Sequence, residues 1–237
     1  MDIVQIARTA VVMAPPIIFA IILHEVAHGW VAEKFGDSTA RRMGRLTLNP
    51  IPHIDPIGTI LLPIFLIAMG SRFLFGWAKP VPVNFGNLRH PKREMIYVAA
   101  AGPATNLSLA LVSAALYATL ITVFPPLKTV FEIFISTLQI PSVGQGSTAL
   151  LVATPLVLMA GVSVVVNVIL MLFNLIPLPP LDGGRVMVGL LPPKQALLFS
   201  KIERYGMVIL VLLIMSGTLN YIFWPFVDRI TAILLGL

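Results

Sequence analysis

Four segments of the sequence are apolar over the length of a helix that crosses a lipid bilayer. Such a crossing takes about 20 apolar residues, because a helix rises about 1.5 Å per residue through a hydrocarbon layer of about 30 Å. The segments are residues 15–35, 95–124, 149–177 and 205–223. Only 11% of the 237 residues are charged, against about 25% in an ordinary soluble domain. We therefore predict an all-α polytopic membrane protein with about four transmembrane helices, in which residues 1–237 form a single membrane-embedded domain.

A fifth apolar segment, residues 57–75, is interrupted by Gly58, Pro63 and Gly70. If this segment turns back within the membrane, 13 of the 16 basic residues of the chain lie on one side. Basic residues favour the cytoplasmic side, which would leave both termini outside. Irregular backbone at membrane depth must be covered by protein or line a wet cavity. We therefore predict a re-entrant hairpin in a multi-pass protein of the cell membrane.

The first apolar segment contains three ionisable residues in the pattern H-E-x-x-H, which are His24, Glu25 and His28. Residues four apart lie on one face of a helix, so both imidazoles can bind one metal ion while the glutamate reaches a water on it. Three such groups in one apolar helix are costly unless a partner compensates, and a divalent cation does so. Because the chain has no cysteine, a zinc ion needs its third ligand from another histidine or a carboxylate.

Asp182 is the favoured third ligand. It stands in the stretch Asn174-Leu-Ile-Pro-Leu-Pro-Pro-Leu-Asp-Gly-Gly-Arg185, where prolines end a helix and Asp-Gly-Gly favours a tight turn. If residues 57–75 re-enter, the first and third spans run in the same direction, and His28 and Asp182 both lie near the cytoplasmic side. The alternative is that Asp182 only caps the short helix that follows it.

These motifs together resemble the site-2 protease family of intramembrane zinc metalloproteases. The resemblance rests on the H-E-x-x-H, on the later N-x-x-P-x-x-x-x-D-G-G, and on Ala101-Gly-Pro-Ala-Thr-Asn106 between them. It covers about residues 17–190. The stretch Gly44-Arg-Leu-Thr-Leu-Asn-Pro50 is similar to the small prokaryotic branch of that family, and no PDZ or CBS module is evident.

The resemblance implies a function and a site. One zinc ion per chain would be held by His24, His28 and Asp182, with Glu25 as general base and Asn174 as a donor to the oxyanion. The implied activity is hydrolysis of peptide bonds in or near transmembrane segments of substrate proteins, with the active site toward the cytoplasm. Membrane lipids and membrane protein substrates are then the expected partners, and the basic loops orient the chain in the membrane rather than bind nucleic acid.

Other interpretations of the same residues stay open. The chain could be a metal transporter, or a pseudoprotease that binds helices without cutting them. It could also be a different membrane metallopeptidase whose third ligand is a downstream glutamate, for which the candidates are Glu94, Glu132 and Glu203. A transporter predicts ligands spread through the depth of the membrane, whereas this sequence places them near one side.

A substrate helix must be unwound before its backbone can be attacked, and an edge strand could hold the unwound segment. Residues 43–48 alternate in the way a strand requires, which makes Arg45, Leu46, Thr47 and Leu48 candidate substrate contacts. An ordinary cytoplasmic loop is an equally good interpretation of these residues. Gly102 and Asn106 are predicted to support the packing of the second span, where small residues allow close approach of helices. His53, Asp55 and His90 are interpreted as polar loop residues at the membrane surface.

Overall fold

The computed structural model describes residues 3–62, 64–65, 69, 76–141 and 148–237, apart from the side chain of Asn220. Its α-helices are α1 (Ile3–Lys34), α2 (Thr39–Arg42), α3 (Pro91–Val123), α4 (Pro126–Thr137), α5 (Thr148–Asn174), α6 (Asp182–Leu190), α7 (Pro193–Ser200), α8 (Glu203–Met215) and α9 (Thr218–Leu235). Helices α1, α3 and α5 are long and apolar enough to cross a membrane. The prediction of a largely helical membrane protein is confirmed at this level.

The first membrane helix begins earlier than the sequence predicts. We expected a start at Pro15, because proline suits the first turn of a helix. Helix α1 instead begins at Ile3 and contains both Pro15 and Pro16. Prolines are tolerated inside membrane helices because neighbouring groups satisfy the carbonyls that they leave free. The predicted segments 95–124 and 149–177 correspond to α3 and α5 with small shifts at their ends.

The predicted fourth span, residues 205–223, is not one continuous helix. Helix α8 ends at Met215 and α9 begins at Thr218. Between them Gly217 has a φ of 73°, a left-handed conformation that glycine adopts without steric cost and that interrupts a right-handed helix. The apolar run therefore contains a break that its hydropathy does not reveal.

The predicted β element at residues 43–48 is also wrong as a strand. Residues 43–44 form a turn and residues 46–48 form bends, and no strand occurs in the described part of the chain. Gly44 has a φ of 65°, and the amide of Arg45 donates to the carbonyl of Ala40. The chain thus leaves α2 through a tight turn, and a lone edge has no neighbouring strand with which to form a ladder.

The predicted hairpin at residues 57–75 lies partly outside the described residues, which include only 57–62, 64–65 and 69 of it. Its first part, Pro56–Leu61, is a short π-helix. Asp55 caps this helix, because its carboxylate accepts hydrogen bonds from the amides of Ile57 and Gly58. Asp55, which we predicted to be a polar loop residue, is therefore the N-cap of this short helix.

One compact unit of the chain consists of Met1–Ala20, Pro103–Ile176 and Tyr205–Leu237. Its core contains Tyr117 of α3 and Phe131 of α4, whose rings pack edge to face with centroids 5.1 Å apart. This unit also contains a buried polar contact, in which Asn106 Nδ2 donates to Asn167 Oδ1 at 2.8 Å. The unit is therefore held by apolar packing and by at least one buried hydrogen bond between helices.

The second compact unit consists of Ile21–Gly102 and Pro177–Arg204. Within it, the end of α1 is joined to the residues that precede α3. Arg89 donates from its Nη2 to the carbonyl of Lys34 at 2.6 Å, and from its amide to the carbonyl of Phe35 at 3.2 Å. The amide of Asn84 donates to Asp37 Oδ2 at 2.7 Å. The two ends of the intervening segment are thus fixed to each other.

Candidate metal centre

His24 and His28 lie one helical turn apart on α1, and their side chains meet. Their Nε2 atoms are 3.1 Å apart. Both residues are buried, with 6% and 9% of their surface exposed. The helix places them on one face because residues four apart in sequence are neighbours on its surface. The H-E-x-x-H pattern therefore produces the convergence of imidazoles that its spacing predicts.

Asp182 is the first residue of α6, and its carboxylate faces both imidazoles. Its Oδ2 lies 3.2 Å from Nε2 of His24 and 3.2 Å from Nε2 of His28. One ligand atom from each of the three residues lies within 4.8 Å of the other two. Burial by itself would raise the pKa of Asp182, but the two imidazoles lower it to about 2. The carboxylate is therefore ionised at neutral pH, as a metal ligand must be.

The tautomer of His28 also suits a metal ligand. Its Nδ1 lies 2.7 Å from the carbonyl oxygen of Val98 on α3. A carbonyl can only accept, so Nδ1 carries the proton and donates it, which leaves a lone pair on Nε2. Metal-binding histidines are commonly fixed in this way by a partner for the second ring nitrogen.

Two further observations show that the three residues fit a bound cation. The Oδ2 atom of Asp182 is buried and accepts no hydrogen bond from the described residues. It lies 3.2 Å from Nε2 of each histidine, and a cation held among these three atoms would satisfy it. Gly102 of α3 provides room, because a Cβ atom at this position would lie 2.5 Å from His28 Nε2 and 2.6 Å from His24 Nε2. Two imidazoles, one carboxylate and space beside them suit a catalytic zinc ion.

Glu25 is half-buried on α1, next to His24 in sequence. Its Oε2 accepts a hydrogen bond of 2.7 Å from the backbone amide of Val81. Residues 76–84 have no regular secondary structure, and a short 3-10 helix, Phe85–Asn87, follows them. The sequence gives no sign of this partner, because the contact joins a side chain to a backbone amide far along the chain.

Asp37 is a second buried carboxylate that the sequence analysis missed, and it organises the loops of this unit. It accepts hydrogen bonds from the hydroxyl and the amide of Thr39, from Nδ2 of Asn87 and from the amide of Asn84. Burial by itself would raise the pKa of Asp37, but these hydrogen bonds hold it below its usual value. With its oxygens occupied by donors, Asp37 has a structural role. The Gly36-Asp37 pair after the first span was the available sequence signal.

Two of the remaining predicted site residues belong to the first compact unit. Asn174 ends α5 in the first compact unit, where its Nδ2 donates to the carbonyl of Leu170 at 3.0 Å. Asn106 also belongs to that unit and donates to the carbonyl of Ala20 as well as to Asn167. Asn167 was missed, although an asparagine inside an apolar span is a signal of a buried polar contact.

The residues of the predicted strand face in different directions. Arg45 is buried, and its Nη2 donates to the carbonyl of Lys79 at 2.8 Å. Leu46 packs against α1, since a Cβ atom at Gly29 would lie 2.7 Å from its Cδ2. Thr47 accepts a hydrogen bond from the amide of Asn49. Leu48 is exposed over 56% of its surface.

The other polar residues singled out in the sequence make local contacts. His53 is buried rather than at the surface, and its Nε2 lies 3.0 Å from the carbonyl oxygen of Thr47. The amide of His90 donates to the carboxylate of Glu94 at 2.9 Å, which caps the start of α3. Glu94 is thus engaged as a helix cap. Among the described residues, only His24, His28 and Asp182 form a group of three histidine or acidic side chains that could hold a metal ion.

Comparison with known proteins agrees with this chemistry. The model of peptidase family M50 matches residues 12–217. The chain is 36% identical over 212 residues to "Putative zinc metalloprotease YwhC" of Bacillus subtilis, a match that covers 90% of this chain and 84% of that protein. It is 29% identical over 210 residues to "Putative zinc metalloprotease Rip2" of Mycolicibacterium smegmatis, covering 89% of this chain and 69% of the relative.

A protein of the same name from Mycobacterium tuberculosis strain H37Rv is 29% identical over 212 residues, covering 87% of this chain and 70% of the relative. The comparison with solved structures found no match. The family match covers most of the chain and includes all the residues of the metal centre. The chain therefore belongs to peptidase family M50, the site-2 protease family, and is a zinc metalloprotease that hydrolyses peptide bonds.

Proposed function

We propose that this protease is an intramembrane endopeptidase that cuts peptide bonds in or near the transmembrane segments of other proteins. The observation that carries the proposal is the position of His24 and His28 on α1, a helix long and apolar enough to cross a membrane. Ligands on such a helix favour substrates that are themselves in the membrane. Water must then reach the site through a polar opening, since peptide hydrolysis consumes water.

The proposed chemistry is divided between the metal and Glu25. His24, His28 and Asp182 would hold the zinc ion, which would supply a Lewis acid able to make water a nucleophile near neutral pH. Glu25 takes a proton from the attacking water and later gives it to the leaving amine of the substrate, as a general base and then a general acid. The Nδ1 hydrogen bond of His28 to Val98 keeps that imidazole in the orientation required.

Two groups of residues would handle the rest of the substrate. Asn174 is our candidate for stabilising the oxyanion, a role worth up to about 4 kcal/mol for one good donor in other enzymes. Leu46, Thr47 and Leu48 are our candidates for contacts with the unwound substrate. The packing of Leu46 against Gly29, the residue after His28, supports a location of this segment beside the metal ligands.

We also propose that the segment around residues 57–75 enters the membrane and returns to the same side. The hydrogen bonds of Arg89 with Lys34 and Phe35 support this topology, because they join the end of α1 to the start of α3. If Arg89 is in contact with Lys34 and Phe35, the chain between them cannot cross the membrane only once. With most basic residues on that side, the metal centre would lie toward the cytoplasm.

The function can be tested with purified protein in liposomes that also contain a panel of single-span membrane proteins of varied sequence. Mass spectrometry detects cleavage, and elemental analysis gives the zinc content per chain. We expect the Glu25→Gln variant to keep its zinc and lose cleavage by about 10²-fold or more, since it cannot accept a proton. Asp182→Ala should lose both the zinc and the activity.

Two controls make this test specific. A zinc chelator should stop cleavage by the unchanged protein, and added zinc should restore it. A Glu132→Gln variant removes an exposed carboxylate that lies on α4 in the other compact unit, and it should behave as the unchanged protein does. Cleavage by Glu25→Gln at the normal rate would contradict the assignment of the base, and failure to cut any membrane substrate while cutting soluble peptides would contradict the intramembrane function.

A further inference from the structure

A stretch of backbone without regular secondary structure, residues 77–81, lies beside the metal centre and is held by the amide of every second residue. The amides of Trp77 and Lys79 donate to the carbonyls of Gly58 and His53, at 3.2 and 2.9 Å. The amide of Val81, two residues further along the chain, donates to Oε2 of Glu25 at 2.7 Å. The stretch thus presents a row of donors whose last member holds Glu25.

Two prolines isolate the donor that contacts Glu25. Pro80 and Pro82 flank Val81, and proline has no amide hydrogen and a fixed φ. The amide of Val81 is therefore the only backbone donor between residues 80 and 82, on a chain of restricted freedom. The two proline rings therefore restrict the backbone on both sides of this donor.

Arg45 also holds this stretch, through a carbonyl rather than an amide. Its Nη2 donates to the carbonyl of Lys79 at 2.8 Å, two residues before Val81. Only 6% of Arg45 is exposed, and no described carboxylate lies within 4.0 Å of its nitrogens to form an ion pair. A buried guanidinium without a counter-ion is expensive, so the contacts that it makes must compensate. The carbonyl of Lys79 is the contact observed.

Side-chain packing locks this arrangement onto α1. A Cβ atom at Gly29 would lie 2.7 Å from Cδ2 of Leu46 and 2.8 Å from Cγ1 of Val81. Leu46, which follows Arg45, and Val81, which contacts Glu25, therefore pack against the same point of α1, one residue after His28. Because this point is a glycine, the two segments can approach the helix backbone closely.

We propose that Arg45 is a positioning residue that holds the general base of the reaction through the amide of Val81. This inference rests on the proposed function only in giving Glu25 the role of base. It replaces the expectation that Arg45 contacts the substrate, since its side chain is buried against the Lys79 carbonyl. Displacement of a catalytic group by about 1 Å can cost a factor of 10² in rate. Loss of Arg45 should therefore reduce kcat and leave zinc binding and KM unchanged.

The first test follows the hydrogen bond itself and needs no activity. Amide hydrogen exchange, measured by mass spectrometry on a peptide of residues 79–82, reports on Val81, because Pro80 and Pro82 have no amide hydrogen and Lys79 becomes the N-terminus of the peptide. We expect faster exchange at Val81 in Glu25→Ala, which removes the acceptor, and in Arg45→Met, which removes the support. Arg42→Met changes an exposed arginine on α2 and should leave the exchange unchanged. Normal exchange at Val81 in Arg45→Met would overturn the proposal.

The second test measures catalysis. We expect kcat of Arg45→Met to fall by about 10-fold to 100-fold, with the zinc content and KM of the unchanged protein. Arg45→Lys keeps a donor for the Lys79 carbonyl and should recover part of the rate. An ester in place of the amide at residue 81 removes the N–H donor without changing any side chain and should cause a similar loss.

Combining Arg45→Met with the ester at residue 81 distinguishes a positioning role of Arg45 from a general loss of stability. If Arg45 acts through the amide of Val81, the ester added to Arg45→Met should cause little further loss, since both changes remove one interaction. Losses that multiply would overturn the proposal. If the unchanged protein cleaves no substrate, the proposed function fails, and the exchange of Val81 still decides whether Arg45 supports this contact.

Discussion

At the scale of single residues, Gly102 sets the space in which the metal ligands meet. In a Gly102→Ala variant the new Cβ would lie 2.5 Å from Cε1 of His24 and from Nε2 of His28. Alanine favours a helix over glycine by about 1 kcal/mol, so α3 itself should remain intact. We expect the zinc affinity to fall by about 10-fold to 100-fold, the range seen when groups around metal ligands are changed. Competition with a chelator of known affinity measures it.

A matched control is available on α6. A Cβ atom at Gly189 would lie 2.3 Å from Cγ1 of Ile96, so Gly189→Ala crowds α3 to a similar degree without touching an imidazole. This variant should lose thermal stability and keep its zinc affinity. Equal zinc affinities in Gly102→Ala and the unchanged protein would show that the ligands do not need the space at Gly102.

At the scale of secondary-structure elements, the turn that begins α6 determines where Asp182 points. Gly184 lies against the chain that precedes the turn, and a Cβ atom there would lie 2.2 Å from the nitrogen of Pro179 and 2.5 Å from the carbonyl carbon of Leu178. These are backbone atoms, which cannot rotate away as a side chain can. We expect Gly184→Ala to destabilise the protein by about 1–3 kcal/mol, as overpacking does, and to lose zinc as Asp182 is displaced. Thermal unfolding and zinc content measure the two effects.

The control for this prediction lies on the same helix. Leu190 is 63% exposed, and Leu190→Ala should change neither the zinc content nor the turn. If Gly184→Ala keeps stoichiometric zinc, the position of Asp182 does not depend on this turn. The D-G-G motif then requires a different physical explanation from close packing of the backbone.

The sequence predicts the membrane helices better than it predicts their interruptions. Helices α1, α3 and α5 follow from apolar length, because every residue in such a run contributes to the same signal. Their ends and breaks depend on single residues. Pro15 and Pro16 are absorbed inside α1, whereas Gly217 separates α8 from α9, and a hydropathy average treats both regions alike.

In the candidate site, the sequence predicts contacts between nearby residues better than contacts between residues far apart in the chain. The convergence of His24 and His28 follows from helical spacing alone. Asp182 required the resemblance to a family and an argument about topology, since it lies far along the chain. The Val81 amide that holds Glu25 could not be foreseen, because every residue but proline has such an amide. The predicted strand failed because alternation of side chains does not supply a neighbouring strand.

At the scale of the whole molecule, the absence of cysteine allows a direct test of the topology. Single cysteines introduced at Arg42 and Lys92, both exposed, should react with a membrane-impermeant maleimide only from the cytoplasmic side. A cysteine at the exposed Thr129 of α4 should react only from the opposite side. Intact cells and inverted membrane vesicles present the two sides separately. This pattern is expected because the ends of the segment around residues 57–75 are joined by hydrogen bonds.

Detergent-solubilised protein serves as the control, since all three cysteines should react in it. Labelling of the Arg42 and Lys92 positions from opposite sides would mean that the segment between them crosses the membrane. In that case the end of α1 and the start of α6, which supply the metal ligands, would not both lie on the cytoplasmic side. The proposed orientation would then be wrong.

The contact between the end of α1 and the residues before α3 also bears on how proteases of this kind can diversify. The hydrogen bonds of Arg89 with Lys34 and Phe35 already close the base of the loop between α1 and α3. Each doubling of the length of such a loop costs only about 0.6 kcal/mol of closure entropy. Insertions and new sequence can accumulate in such a loop without shifting the helices at its base. Selectivity for new targets can therefore evolve there while the hydrolytic chemistry stays as it was.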